Sequence, residues 1–560
     1  MGDLKVRFLS TITLIRLVVF SYLLLLSLFQ TDPHHDGYIL GAASGVTSGL
    51  SVHAGAFSQY GPMTPLVAGL FMKLFGVSVL TLRILAAILV FITYILIEKT
   101  LRRFEFKEST AQFFAISWII LNHVVSTTFD GSLFLWPSVI STLFLMISVY
   151  LACCSRQSKY WFHFLLLSGS FIALAAFTRI QSLLLVPGIL FFYLLRRKFG
   201  KEISVIFVGF LLGCTTTVIW LSLNGALDDF VYQAIVWPSR TYPSMGSGNN
   251  YNRFQFGLYV SLAIGMVIFY RVLVFLRKRI FVSRDWLFVV VIGSTVFAIS
   301  WVTGKLLQSD QNTYLRLFVG DQLNRILLWP LYFSFAVTVL AAILALVAHL
   351  RSNWKIQELE FGPSYAILAG ASVTVQIFPQ SDVAHLWWIT PLFIAPTLIV
   401  LRVANLNFSS IRLTVSTLLV ASLFANLVYF SKDWERYSYK PLQGTFAFAS
   451  KARAADIYQP LTPYLSNRKA VFVCYDGVHS VASGKYSSVD EWFVYWGFDP
   501  EGQESKARLT KASSVVVCDK ERIYSDDIAK TFNKKIIYFA ETREGDIYRS
   551  LAILENKERG

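Results

Sequence analysis

The sequence predicts an α-helical polytopic membrane protein of about thirteen transmembrane helices, with a small C-terminal extracytoplasmic α/β domain. Three observations predict it. Of 560 residues, 55% are hydrophobic and only 15% are charged, whereas soluble domains carry roughly 25% charged residues. Apolar runs close to the ~20 residues needed to cross a bilayer recur along the chain. Lys and Arg gather in alternate connections between those runs, as the positive-inside rule requires.

Spans are expected near 8–29, 78–98, 110–127, 133–153, 161–177, 182–195, 203–223, 256–275, 285–302, 326–348, 363–378, 386–401 and 412–430. The first run lacks a small-x-small cleavage site and leads straight into a polar stretch, so it reads as a retained span rather than a signal peptide. The pair flanking Thr178-Arg179-Ile180 also fits one long, interrupted helix. With the N-terminus in the cytoplasm, the inner connections carry Lys99, Arg102, Arg103 and Lys107, then Arg156 and Lys159, then Arg196, Arg197, Lys198 and Lys201. Arg271, Arg277, Lys278, Arg279 and Arg284 follow, then Arg351, Lys355, Arg402 and Arg412. The outer connections hold few, an asymmetry of about three to one. An odd span count puts residues 431–560 outside. The net charge of +16 sits in these short clusters, so it marks topology and not a nucleic-acid surface.

From about residue 431 the composition becomes that of a soluble domain. The apolar runs 470–474, 514–518 and 536–539 read as buried strands. A helix-like stretch at 445–458 alternates with them, which predicts a small α/β unit. The five cysteines show no metal-ligand spacing. Cys153, Cys154 and Cys214 lie in apolar runs and read as packing residues. Cys474 and Cys518 end similar strands, and whether they pair is left open.

The chemistry concentrates after the first span, in Thr31-Asp32-Pro33-His34-His35-Asp36-Gly37-Tyr38. Two acids this close can differ in pKa, one ionised as a base and the other tuned by its neighbour. Asp36 also opens an expected helix over 38–50, where an acid is equally a plain cap. Phe57-Ser58-Gln59-Tyr60-Gly61-Pro62 then leads into an apolar segment ending at Phe75-Gly76, so the loop of about 30–77 is expected to hold two short interfacial helices. Outer positions elsewhere add Arg179, an arginine between apolar runs and hence a functional candidate unless it snorkels to the headgroups. Asp382 and His385 are three apart between two spans, and Arg240 and Arg253 flank the Gly/Ser/Asn-rich stretch 244–250. Asp130-Gly131 reads as a turn.

Asp32, His35-Asp36-Gly37 and the downstream Tyr60-Gly61 resemble the acidic first-loop motif of the GT-C superfamily of membrane glycosyltransferases, in particular members related to dolichyl-phosphate-mannose-type and aminoarabinose-type transferases. The long first loop, the multi-span body and the C-terminal outer domain extend the resemblance along the chain. Many members have adjacent acids where this chain has His34 and His35, which leaves open whether Asp36 or Asp32 is the base. The resemblance implies a GT-C-like catalytic domain over 1–430, a soluble domain over 431–560, and a polyprenyl-phosphate-linked sugar donor with an extracytoplasmic acceptor. It implies Asp36, Asp32 and His35 at the reaction centre, with Tyr60, Gln59 and Asp382 lining the substrate pocket. Arg179 and His385, and more remotely Arg240 and Arg253, are the candidates for the donor phosphate. No cofactor is required, although the acids have the chemistry to bind a divalent metal.

Several classes are set aside. No GxxxxGK[ST], HExxH or GxSxG occurs. Gly41-Ala42-Ala43-Ser44-Gly45 reads as close-packing helix surface rather than a dinucleotide loop. A transporter or flippase of lipid-linked sugars is the rival class, and the inverted repeat that would favour it is not evident.

Overall fold

A computed structural model describes residues 11–27, 35–56, 58–121, 133, 135–156, 158–195, 200–236, 238–239, 360–377 and 383–403. It also describes 440–441, 448–449, 470–474, 509–519, 522–541 and 550–557, and scattered positions at 334, 337–338, 409–420, 460 and 463–464. The expected spans at 256–275, 285–302 and 326–348, and most of 412–430, lie outside these residues apart from such scattered positions.

The membrane body begins with α1 (Thr11–Ser27), followed by two loop helices, α2 (His35–Thr47) and α3 (Met63–Phe75). Then come α4 (Val79–Arg103), α5 (Glu108–Ile120), α6 (Pro137–Ser155) and α7 (Trp161–Ala176). A 3₁₀ turn (Ile180–Leu184) leads into α8 (Leu185–Leu195), then α9 (Gly200–Leu223) and the short α10 (Leu227–Val231). Later come α11 (Phe361–Val373), α12 (Val383–Ile389) and α13 (Pro391–Val403). Among the described residues α4, α6 and α9 are long and apolar enough to cross a membrane by themselves.

The starts and stops follow from sequence. Ser78 caps α4 by accepting the Thr81 amide at 3.0 Å. Pro137 opens α6 at a position where a missing N–H costs nothing. The expected span 386–401 is broken, because Pro391 starts a new helix and Thr390 separates it from α12. The interruption before Arg179 is likewise real, since α7 ends at Ala176 and the chain resumes as a 3₁₀ turn.

Close backbone contact holds α7 to α9. A Cβ on Gly169 would lie 1.9 Å from the Ile206 carbonyl oxygen, and one on Gly209 would lie 2.0 Å from that of Leu166. Lipid tails are as apolar as leucine, so membrane helices associate through such small-residue approaches and through polar ties. The polar ties are present. Arg16 of α1 bonds both oxygens of the fully buried Glu98 of α4, at 2.9 and 3.0 Å. Trp118 of α5 and Trp387 of α12 stack at 5.0 Å and each donates its indole N–H to the other's carbonyl, at 2.9 and 2.8 Å. Tyr365 joins Ser148 and Ser168 in a buried hydroxyl cluster across α11, α6 and α7.

At one end of this bundle Arg102 pairs with Glu108 at 2.7 Å, Arg156 pairs with Glu360, and Arg402 lies over the Phe106 ring at 4.4 Å. The starts of α4 and α6 and the end of α7 are at the other end. Basic clusters and loop helices therefore occupy opposite ends.

In the C-terminal part, β3 (Ala470–Cys474), β4 (Ser514–Asp519), β5 (Lys534–Glu541) and β6 (Ser550–Asn556) form one sheet in the order β3-β4-β6-β5. β3 and β4 are parallel and the other pairs antiparallel, and the register sets Cys474 opposite Cys518. α14 (Arg522–Thr531) packs beside the sheet, its Ile528 in a core with Val515, Val517 and Leu554. The helix expected at 445–458 is corrected at 448–449, near its start. β2 (Phe448–Ala449) pairs antiparallel with β1 (Lys440–Pro441), and the Phe446-Ala447-Phe448-Ala449 alternation has the two-residue period of a strand.

The α7–α9 contact gives a test. Gly209→Ala adds one methyl against a backbone carbonyl and should cut the yield of monodisperse protein in detergent severely. Leu212→Ala, on a surface that is 52% exposed in the bundle, should leave that yield close to wild type.

Candidate functional site

Asp36 stands in the first turn of α2, where the free amides of the helix start favour a carboxylate. Its side chain is buried against Arg83, one turn into α4. Arg83 Nε donates to Oδ1 at 3.2 Å and to Oδ2 at 3.1 Å, and Nη2 donates to Oδ2 at 2.5 Å. A carboxylate and a guanidinium removed from water together are tolerated only with such geometry, because either alone is costly in a low dielectric. The pair therefore fixes α2 on α4. α2 packs on α3 as the small-residue run predicted, with Gly69 so close to Val46 that a Cβ would lie 2.7 Å from it.

Two residues after Asp36, the buried Tyr38 accepts the Gln59 amide at 2.5 Å. Burial pushes its phenol above the usual tyrosine range, so it remains a neutral hydroxyl. Tyr38, Tyr60 and Trp136 pack ring on ring, at 6.1 Å for Tyr38–Trp136 and 5.4 Å for Tyr60–Trp136. Trp136 stacks on Trp388 at 6.1 Å, and Trp388 meets the His385 ring at 4.9 Å. One aromatic run thus links the acidic helix to His385.

The Tyr60-Gly61-Pro62 turn is seated on the end of α7. Gly61 N–H donates to the Thr178 carbonyl at 3.2 Å and Met63 N–H to that of Phe177 at 3.4 Å. A Cβ at Gly61 would fall 1.7 Å from the Phe177 carbonyl oxygen, so only glycine fits. The next residue is Arg179, which is 3% exposed. Its guanidinium donates to Ser138 Oγ and to the Gln376 carbonyl, the latter at 2.9 Å. Gln376 Nε2 reaches Ser182 Oγ at 2.8 Å, and Ser182 and Ser141 share a hydrogen bond at 2.7 Å. Arg179 does not snorkel. It is enclosed by α6, the 3₁₀ turn and the segment after α11.

A second clamp holds the loop between α2 and α3. His53 sits at φ +74° in a tight turn, where its amide donates to the Ala56 carbonyl at 2.7 Å. Gln233 Nε2 donates to the His53 carbonyl at 3.1 Å, while Gln233 Oε1 faces the Ser58 amide at 3.3 Å and His53 Nδ1 at 3.0 Å. With its oxygen so oriented, Gln233 selects the Nδ1–H tautomer of a neutral imidazole. Burial lowers the His53 pKa to about 4. Gln233 lies in a single π-helical turn, Tyr232–Val236, which turns its side chain toward the loop.

Of the residues named from sequence, the structure brings Asp36, Gln59, Tyr60, Arg179 and His385 to one end of the bundle. His35 opens α2. Asp32, Arg240, Arg253 and Asp382 lie outside the described residues, as do His34, Asp130 and the 244–250 stretch. Among the described residues no group of three His, Cys, Asp or Glu is placed for a metal ion. Sequence reasoning missed Arg83, His53 and Gln233. Arg83 was detectable as a lone charge inside an apolar run; the His53–Gln233 contact spans 180 positions and leaves no local signal.

The His53 clamp predicts a pH dependence. The native pKa of about 4 lies below the unfolded value near 6.5, so the stabilisation is complete above pH 6.5 and is lost as pH falls towards 4. The shift corresponds to about 3 kcal/mol. Thermal melts in detergent at pH 7.5 and 4.5 should show a smaller acid-induced drop for His53→Asn than for wild type. An equal drop in both would remove His53 as the titrating group.

Comparison with known proteins adds a family. Residues 59–221 match the family described as dolichyl-phosphate-mannose-protein mannosyltransferase, a segment that holds Arg83, Trp136, Ser138 and Arg179. No curated protein matches the chain. Among solved structures, it is similar to the Archaeoglobus fulgidus oligosaccharyltransferase in complex with zinc and sulfate, at TM-score 0.48 and 11% identity over 96% of this chain and 73% of that one. It is similar to ArnT from Cupriavidus metallidurans in the apo state, at TM-score 0.48 and 12% identity over 97% and 98%. The same protein bound to undecaprenyl phosphate gives TM-score 0.44 and 12% identity over 99% of each chain. The resemblance read from the first loop is borne out as a resemblance: residues 59–221 are similar to the dolichyl-phosphate-mannose-protein mannosyltransferase family.

Proposed function

We propose that the protein moves a sugar from a polyprenyl-phosphate donor to an extracytoplasmic acceptor at the inner membrane: a cell-envelope glycan, a glycolipid or a lipid-linked saccharide. The observation that carries this reading is the match of 59–221 to a family whose description names a sugar on a polyprenyl-type phosphate. Outside the cytoplasm no nucleotide sugar is at hand, so the donor arrives on lipid. The Lys/Arg asymmetry supports an outward-facing site, and the loop helices lie at the end of the bundle away from the Arg102, Arg156 and Arg402 contacts. The same asymmetry, with an odd number of spans, supports an outer position for 431–560.

In the proposed reaction a carboxylate removes the proton of the acceptor hydroxyl as that oxygen attacks the anomeric carbon. The bond from anomeric carbon to phosphate oxygen breaks, and its electron pair stays on the polyprenyl phosphate. The leaving group needs cationic stabilisation rather than a proton. Asp36 is the proposed base, with Asp32 as its tuning partner or replacement and His35 beside them. Arg179 and His385 are proposed to face the phosphate, with Arg240 and Arg253 further out, and Gln59, Tyr60 and Asp382 to line the sugar pocket. No metal is needed for this sequence of events.

The test is transfer from a radiolabelled polyprenyl-phosphate sugar in proteoliposomes. General-base contributions run to roughly 10²–10⁴-fold. Asp36→Asn should therefore slow transfer at least about a hundredfold while donor binding persists. Asparagine leaves the buried Arg83 without this counter-charge, so Asp36→Asn/Arg83→Gln serves as the folding control: it should recover thermal stability without recovering transfer. Normal transfer by Asp36→Asn with a dead Asp32→Asn moves the base to Asp32. Unchanged transfer in both favours the lipid-linked-sugar transporter. For the phosphate, Arg179→Lys should raise the donor KM, because a fork becomes a point charge, and Arg179→Ala should raise it further. Unchanged donor binding in the alanine variant would leave Arg179 a structural clasp only.

A further inference from the structure

While its carboxylate is paired with Arg83, Asp36 is unable to act as a base. Its carboxylate has no exposed surface, and both oxygens accept from Arg83. An acceptor hydroxyl has no path to it until the pair opens. Opening the pair takes the Asp36 counter-charge from the buried Arg83 guanidinium, a loss that a second anion offsets. The fork that fits a carboxylate through two N–H groups fits a phosphate equally well.

We propose that Arg83 is a shared cation, which holds Asp36 closed in the empty site and passes to the phosphate of the polyprenyl-phosphate donor, freeing Asp36 to face the acceptor hydroxyl. The inference rests on the transfer reaction proposed above with Asp36 as base. Its charge balance is self-consistent. As the acceptor oxygen bonds to the anomeric carbon, its proton moves to Asp36, which becomes neutral and loses its attraction for Arg83. In the same step the bond from anomeric carbon to phosphate oxygen breaks, and the phosphate gains one negative charge and draws Arg83 more strongly. The cation follows the charge. An empty site keeps its base enclosed, so loading of the donor and readiness of the base are linked through one side chain.

No other charged group among the described residues of the elements packed on α2 competes for this role. On α3 the charged residue is Lys73, which is exposed. On α4 the charges other than Arg83 are Glu98, Lys99, Arg102 and Arg103, near the opposite end of that helix. Tyr38 and Tyr60 are the phenols beside the pair's helix, and Tyr38 is held by the Gln59 amide.

The experiment is carboxylate labelling of the full-length protein in detergent with a hydrophobic carbodiimide and an amine, with modification at Asp36 read by mass spectrometry. Asp36 should label slowly in the empty protein and at least about tenfold faster with undecaprenyl phosphate, while inorganic phosphate at the same concentration leaves it slow. Arg83→Gln should label fast without lipid. If that variant does not fold, the wild-type comparison with and without lipid decides alone. Labelling that is unchanged or reduced by undecaprenyl phosphate overturns the shared-cation assignment, and an equal rise with inorganic phosphate overturns its lipid-phosphate source. Neither result touches the transfer reading, which fails separately if Asp36→Asn transfers sugar at the wild-type rate.

Discussion

A carboxylate and a guanidinium buried together between α2 and α4 hold the first loop on the membrane body. α2 is short, and the apolar burial of its Tyr38, Ile39 and Leu40 holds it without fixing a direction. Asp36 and Arg83 give it a directional attachment instead, through three charge-assisted hydrogen bonds. Everything that makes the loop a site follows from that attachment: Tyr38 is brought under Gln59 and against Trp136, and α3 is laid across α2. Buried pairs of this kind are poor sources of net stability compared with well-packed hydrophobic residues. Placing one at a loop helix makes physical sense where the charges serve chemistry.

The rest of the loop is held by backbone rather than by charge. Gly61 lies against the Phe177 and Thr178 carbonyls at a distance no other residue permits, so the Tyr60 turn and Arg179 are neighbours by construction. Gln233 fastens the far turn through the His53 carbonyl and the Ser58 amide. Two interruptions in the bundle, the 3₁₀ turn after Arg179 and the π turn that carries Gln233, supply the irregular backbone these contacts need. Within these turns Ser182 and Gln233 are buried, so the polar side chains they present to the site are enclosed by protein.

Much of this was legible in the sequence. Apolar length located α4, α6, α7 and α9 to within a few residues, and the polar breaks located both loop helices and the interruption at Arg179. The acidic run after the first span singled out Asp36, whose side chain the structure buries against Arg83. Sequence could not show that Asp36 is closed off by a partner 47 positions away, since pairing across helices leaves no periodic trace. Arg83 was overlooked for a related reason: in a run counted for hydrophobicity, one arginine near the end looks like a boundary residue. At 448–449 the helix expectation failed where a two-residue apolar alternation was read as a helical face, and β6 was missed because its Leu551 to Leu554 run is short and flanked by polar residues.

The proposed transfer asks two enclosed arginines, Arg83 and Arg179, to receive a departing phosphate and the Asp36 carboxylate to meet an incoming hydroxyl. Its logic depends on where the donor's phosphate comes to rest. The measurement that tests this most directly is a cryo-EM structure of the protein in a lipid nanodisc with a polyprenyl-phosphate sugar bound. The account predicts the phosphate within roughly 2.7–3.2 Å of a guanidinium of Arg83 or Arg179, with the Asp36 carboxylate parted from Arg83 and turned to the side from which the acceptor hydroxyl attacks the anomeric carbon. A donor bound away from both arginines, with the Asp36–Arg83 pair still closed, would contradict it.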